Sequence, residues 1–353
     1  MAAGNLHLPV VDLASTNLRA SAESIRKACV ESGFFYVSNH GIDDGLLERV
    51  FAESKKFFEL PLEEKMALQR NSGHRGYTPP YAEKLDASSK FEGDLKESFY
   101  IGATGNGNLQ NDANQWPSEE QFPAWKDTMK LYLATALVTC KRILSLISLS
   151  LDLDAEFFQN IGAFNCPSDV LRLLHYPGEV NECDNGNYGA SAHSDYGMLT
   201  LLATDGTPGL QICREKDRHP QLWEDVPHID GCQKYSIHRT QPGEGRDTVF
   251  DFLSGDGCGE RLHASKGEVG LSRALIVNIG DLLERWTNCV FRSTLHRVVA
   301  VGKERYSAAF FLDPNPDLVV QCLESCCCEA YPPRFAPIRS GDYLKERLSA
   351  TYK

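Results

Sequence analysis

The chain has 353 residues, 42% hydrophobic and 24% charged, globular proportions that exclude collagen, coiled coil and general disorder. Asp and Glu number 48 against 36 Lys and Arg, for a formal net charge of −12, and a field of that sign disfavours nucleic acid and membrane surfaces as partners. No run is read as a membrane helix of ~20 apolar residues, and the start lacks the basic and apolar regions of a signal peptide.

Twelve cysteines are scattered without a paired rhythm, so they read as reduced thiols rather than a disulfide framework. Cys322 with Cys326-Cys327-Cys328 has no second pair at zinc-finger spacing. A soluble, cytoplasmic and monomeric protein is expected.

In chain order, Leu8 to Leu13 reads as a strand and Ala20 to Glu31 as an amphipathic helix with Ile25, Ala28 and Cys29 on one stripe. Ser32-Gly33 stops that helix, and Phe34-Phe35-Tyr36-Val37 is aromatic and β-branched, hence a strand. Asp43 to Phe58 restores the helical period, and Pro61 opens a short helix whose positive end favours Glu63 and Glu64. Residues 70–117, rich in Gly, Asn, Ser and Pro, read as loops. A long helix is expected over about 118–151, capped by Ser118 and Gln121 although Pro123 limits its first turn.

Beyond Pro167 short apolar runs alternate with Gly and Pro: Val170 to Tyr176, Leu199 to Ala203, Gly209 to Cys213, Ala274 to Ile279 and Tyr306 to Leu312. Many short strands in succession predict a double-sheet jelly roll. The fold class is α+β: a jelly-roll core with flanking helices. Residues 1–125 form a mixed region that wraps the core, and residues 126–353 supply the long helix and the catalytic jelly roll. Cys232 to Arg273 does not fit. Its 42 residues hold seven of the 28 glycines and little apolar periodicity, so it reads as a functional lid or a disordered insertion.

His193-Ser194-Asp195 places an imidazole and a carboxylate on one strand face, half of a metal site, where the plain alternative is a polar turn. His296, at the edge of another β-type run, completes two histidines and one carboxylate, the facial triad of non-haem ferrous oxygenases. Nine residues on, Arg305-Tyr306-Ser307 offers a guanidinium fork and a hydroxyl on one face, followed by an apolar run that argues for burial. A buried arginine needs an anion, and the distal carboxylate of an iron-chelating keto acid would serve.

With these residues in this order, the sequence resembles the 2-oxoglutarate- and Fe(II)-dependent dioxygenases, specifically the plant type related to isopenicillin N synthase. The resemblance extends to Ser32-Gly33-Phe34-Phe35-Tyr36-Val37-Ser38-Asn39-His40-Gly41-Ile42, to Phe57-Phe58-Glu59-Leu60-Pro61 and to Asn278-Ile279-Gly280-Asp281. It implies that His193, Asp195 and His296 bind Fe(II), and that Arg305, Ser307 and Tyr176 hold 2-oxoglutarate. Phe311, Asp313, Tyr196, Arg172 and Phe99 are implied as substrate-pocket candidates. Leu174 stands where relatives often carry Asn.

The implied activity is oxidation of a small organic metabolite, by hydroxylation or desaturation. It consumes O2 and 2-oxoglutarate, releases succinate and CO2, and admits ascorbate as reductant. Relatives run almost directly from the position of Gly231 to that of Ala274. Asp195 and His296 are 101 residues apart, and 59 without the 42. Cys232 to Arg273 therefore reads as a retained-intron-like insertion whose His238 and His263 are incidental. Three alternatives stand beside this reading. One is a folded but weakly active or inactive variant; another is a zinc hydrolase, which leaves Arg305 and Ser307 unexplained. The third is a 2-oxoglutarate-independent Fe(II) oxidase in which that pair grips a substrate carboxylate.

Overall fold

The computed structural model describes residues 6–103, 114–165, 168–179, 186–229 and 273–351. The first strand, β1 (Val10–Asp12), leads into α1 (Leu18–Glu31), whose N-cap Asn17 accepts from the Ala20 N–H. β2 (Phe34–Ser38) follows, and Asp43 caps α2 (Asp44–Phe58) by accepting from Leu46. Pro61 begins α3 (Leu62–Met66).

Residues 70–117 are not all loop. They contain β3 (Gly76–Thr78) and β4 (Glu97–Gly102), and β4 pairs along its length with β5 (Val170–Tyr176). The polar punctuation around these short strands hid them, since their stability comes from partners distant in sequence.

The long helix α4 spans Trp125–Ser150, seven residues later than its expected start. Pro123 lacks an N–H and disfavours helical backbone at Phe122. Ser118 instead organises a turn, its Oγ accepting from Glu120 N and its carbonyl from Phe122 N. By length and composition α4 is apolar enough to cross a membrane, contrary to the sequence expectation. Here it packs against α1 and α2, with Met129, Leu133, Ala136, Cys140, Leu144 and Ile147 in the core.

After the short α5 (Phe157–Asn160) come β6 (Tyr188–His193), β7 (Leu199–Thr204), β8 (Leu210–Cys213) and β9 (Glu224–Asp225). Then follow β10 (Leu275–Ile279), α6 (Asp281–Trp286), β11 (Leu295–Val299), β12 (Arg305–Leu312), the pair β13 (Val319–Val320) and β14 (Ile338–Arg339), and the final α7 (Ser340–Thr351). The 232–273 segment lies outside the described residues except for Arg273. That residue's carbonyl accepts from His40 Nε2 at 2.7 Å, and its N–H donates to Asp44 at 3.2 Å.

Two sheets face each other as a jelly roll. The larger runs β1-β2-β10-β7-β12-β5-β4-β3 and the smaller β6-β11-β8-β9. Strands of the larger sheet are buried on both faces. Leu173, Val277 and Phe310 join the main core under the helices, while their neighbours Leu174, Ile276 and Ala309 face the second sheet. Double burial explains why these strands read as continuous apolar runs rather than as alternation. The inter-sheet cluster is the smaller of the two, and the functional cavities open there.

Candidate active site

His193 ends β6, and Asp195 follows in the turn before β7. His296 lies in β11 directly opposite His193 in the antiparallel register. One ligand atom from each falls within 4.8 Å of the other two, the one such group among the described residues. Asp195 Oδ1 lies 3.9 Å from His193 Nε2 and 3.6 Å from His296 Nε2.

Hydrogen bonds decide which atoms face the common point. His193 Nδ1 donates to the Ser191 carbonyl at 2.7 Å, and His296 Nδ1 donates to the Thr294 carbonyl at 3.1 Å. Each Nε2 therefore keeps its lone pair. On Asp195, Oδ2 accepts from Thr200 Oγ1 at 2.6 Å and Asn278 Nδ2 at 2.7 Å, so that Oδ1 is turned inward. Burial, and then the neighbouring His296, push His193 down to about 4. Burial raises Asp195, but the two imidazoles and the Asn278 and Thr200 hydrogen bonds outweigh it and hold the carboxyl below its ordinary range. At neutral pH His193 is thus neutral and Asp195 a carboxylate; with His296 Nε2 turned to the same point and each group held by a second partner, the donor set fits a divalent transition metal and leaves coordination positions open.

The turn that carries Asp195 is clamped by backbone. Asp281 N donates to the Asp195 carbonyl at 2.8 Å, and Gly280 N donates to Met198 O at 2.9 Å. A Cβ on Gly280 would sit 2.3 Å from the Gly197 carbonyl oxygen, so only glycine permits this approach.

Beside the triad a cavity of about 60 Å³ runs to Arg305, Ser307 and Tyr176. Arg305 is 3% exposed; its Nε donates to Thr207 O and its Nη1 to Ser307 Oγ, both at 3.3 Å, and its guanidinium lies over the Tyr176 ring at 4.9 Å. It has no carboxylate partner among the described residues. Ala309 and Phe311 continue the same face of β12 into the cavity, as strand parity requires, and Leu174 lines it with an apolar side chain.

A second cavity of about 260 Å³ lies on the other side of His193, Asp195 and Phe311. Arg172, Tyr196 and Asp313 line it. Burial, aided by Asp169 and Asp195, pushes the Asp313 carboxyl up to about 7.

Known proteins match this arrangement from end to end. Residues 8–119 match the family described as non-haem dioxygenase in morphine synthesis N-terminal, and residues 167–240 and 246–314 match the 2OG-Fe(II) oxygenase superfamily. Kihadalactone A synthase LFS of Citrus sinensis is 36% identical over 349 residues, covering 97% of this chain and 91% of the relative. The chain belongs to the 2OG-Fe(II) oxygenase superfamily. The 2-oxoglutarate-Fe(II) type oxidoreductase hxnY of Emericella nidulans is 31% identical over 343 residues, covering 94% of this chain and 84% of the relative. Relatives thus include fungal as well as plant proteins. Among solved structures, Neurospora crassa T7H in complex with alpha-KG and thymine superposes with a TM-score of 0.76 at 27% identity, over 98% of this chain and 97% of that one. The protein is a 2-oxoglutarate-dependent dioxygenase that uses Fe(II).

Within the dioxygenase, one expected pocket residue belongs elsewhere. Phe99 is fully buried against Phe57 and Trp125, in the core beneath the sheet. On β4 it pairs with Leu173, whereas its neighbour Tyr100 pairs with Arg172 and lines the larger cavity. Adjacent strand residues take opposite faces, so an assignment shifted by one selects the wrong side. Unforeseen residues include Thr200 and Asn278, which turn Asp195, and Lys96, Leu344 and Leu348 on the cavity walls. Only Asn278 had a signal, its place in Asn278-Ile279-Gly280-Asp281.

Proposed function

We propose that His193, Asp195 and His296 hold Fe(II), and that Arg305, Ser307 and Tyr176 hold the distal end of 2-oxoglutarate in the smaller cavity. The observation that carries the co-substrate assignment is a buried guanidinium with no carboxylate partner among the described residues, one cavity-length from the triad. Bound iron and keto acid together supply the activation of dioxygen. This chain's residues would supply position: His193 Nε2, His296 Nε2 and Asp195 Oδ1 would hold the metal, and Arg305 with Ser307 would hold the keto acid's far end.

The larger cavity is the proposed substrate site. Leu85, Tyr100, Val170, Leu344 and Leu348 give it an apolar wall, and Asp313 offers a carboxyl that burial keeps partly protonated near neutral pH. A volume of about 260 Å³ suits a small organic metabolite; the T7H structure likewise holds thymine beside alpha-KG. Phe311 borders both cavities, which also share the proposed metal ligands His193 and Asp195, so it would help to position a substrate beside them.

The test is a metabolite screen scored by Fe(II)- and 2-oxoglutarate-dependent succinate release, with His193→Ala as the inactive control. Full coupled turnover by that variant would overturn the metal assignment. Oxygen consumption independent of added 2-oxoglutarate would overturn the role of Arg305.

A further inference from the structure

β6 is the edge strand of the smaller sheet and ends in His193. Edge strands present unpaired backbone groups, and a strand that must hold a ligand to a fraction of an ångström cannot leave that edge loose. The segment Gly93 to Lys96, which leads into β4, lies along it. Asn187 Nδ2 donates to the Gly93 carbonyl, and Leu95 N donates to the Tyr188 carbonyl, both at 3.0 Å. Asp94 Oδ1 accepts twice from Ser191, from its N–H at 3.1 Å and its hydroxyl at 2.6 Å. The Ser191 carbonyl is the group that accepts from His193 Nδ1.

Asp94 is itself held in place. Its Oδ2 lies 2.6 Å from Lys96 Nζ, which also meets Glu83 Oε2 at 2.7 Å, and Glu83 Oε2 lies 2.6 Å from Arg172 Nη2. Two carboxylates and two cations make a neutral, buried quartet. Apolar side chains of similar volume are often as stabilising as a buried ion cluster, so stability alone does not account for it. What an apolar replacement cannot supply is a fixed acceptor for both donors of Ser191.

We propose that Asp94, anchored by Lys96, is a positioning residue for His193: it fixes Ser191, and Ser191 fixes the ring orientation of the ligand. The N-terminal region would then contribute to the metal centre although it provides none of the proposed ligands. This inference rests on the reading of His193 as a metal ligand.

Co(II) affinity and the Co(II) ligand-field spectrum of the full chain test it. Two double variants preserve charge balance in the quartet and differ only at the Ser191 acceptor: Asp94→Asn with Lys96→Met, and Asp94→Leu with Lys96→Met. The leucine pair is expected to bind Co(II) about ten- to a hundredfold more weakly than the asparagine pair, the range for partners that orient a metal-bound histidine. Its spectrum should also change. Equal affinities and superimposable spectra would overturn the inference.

If the leucine pair does not fold, Ser191→Ala removes one hydrogen bond and leaves all four charges. A loss of about two- to tenfold in Co(II) affinity is expected, and an unchanged affinity and spectrum would overturn the inference. His193→Ala separates the two levels. Co(II) binding undiminished in that variant overturns the ligand reading, while its loss with both Asp94 pairs alike overturns only the role of Asp94.

Discussion

The two cavities share Leu85, Arg172, His193, Asp195 and Phe311, yet they are built differently. The smaller is walled almost wholly by strands of both sheets, with Leu85, Lys96 and Asp195 as the additions from outside them. The larger borrows from the periphery: the 73–75 loop, Leu85, Tyr100, the turn after His193, and one face of the C-terminal helix α7. The contrast matches the tasks assigned to them. A fixed co-substrate can be met by a rigid site, and adaptable substrate recognition is served by segments that vary without disturbing the sheets.

Breaking the rigid side has the largest expected effect. Arg305→Leu removes the cavity cation that has no carboxylate partner among the described residues, the proposed holder of the keto-acid tail. Losing a buried charged partner costs about 2–5 kcal/mol, so the KM for 2-oxoglutarate should rise at least about 30-fold, with little change in Co(II) affinity. An unaltered KM would move the co-substrate elsewhere.

On the adaptable side the effect is smaller and selective. Leu348→Trp adds bulk to the wall of the larger cavity without touching the smaller one. Steric discrimination in an apolar pocket is worth about 1–3 kcal/mol. The kcat/KM for the substrate found by screening should therefore fall about tenfold or more, while 2-oxoglutarate affinity stays within about twofold. Parallel losses in both would mean that α7 supports the fold rather than the pocket.

How legible each region was in the sequence follows the same division. His193, Asp195, His296, Arg305 and Ser307 carry chemistry at short spacings on strands, and strand parity places their side chains. β4 and the true start of α4 were missed because pairing with β5 and the backbone limits of Pro123 outweigh local composition. Tyr100 was missed by one position of parity on β4. Leu344 and Leu348, on the C-terminal helix, and Asp94, some hundred residues before Ser191, meet the site only through tertiary folding; no local pattern points from them to it.

The buried quartet joins the two regions, because Arg172 lines both cavities and Lys96 only the smaller. Its charges predict a pH signature. Burial raises the Glu83 carboxyl, but Arg172 and Lys96 outweigh this and hold it well below its usual 4.5. The unfolded chain therefore takes up that proton first as acid is added. Stability from Glu83 is present above about pH 4.5 and is lost as pH falls toward the lower folded value. Lys96 behaves oppositely. Burial lowers it, yet Glu83 and Asp94 raise it above 10.5, so its contribution persists below that pH and fades above it. In the metal-free protein, where loss of iron cannot confuse the reading, Glu83→Gln should lower Tm at pH 7. The gap to the unmodified chain should then narrow by a few degrees between pH 6 and pH 3, on a scale of about 2–4 °C per kcal/mol. Parallel Tm curves over that interval would show that the quartet's charges are not coupled to folding as drawn, and that Arg172 and Lys96 hold the cavity wall by packing alone.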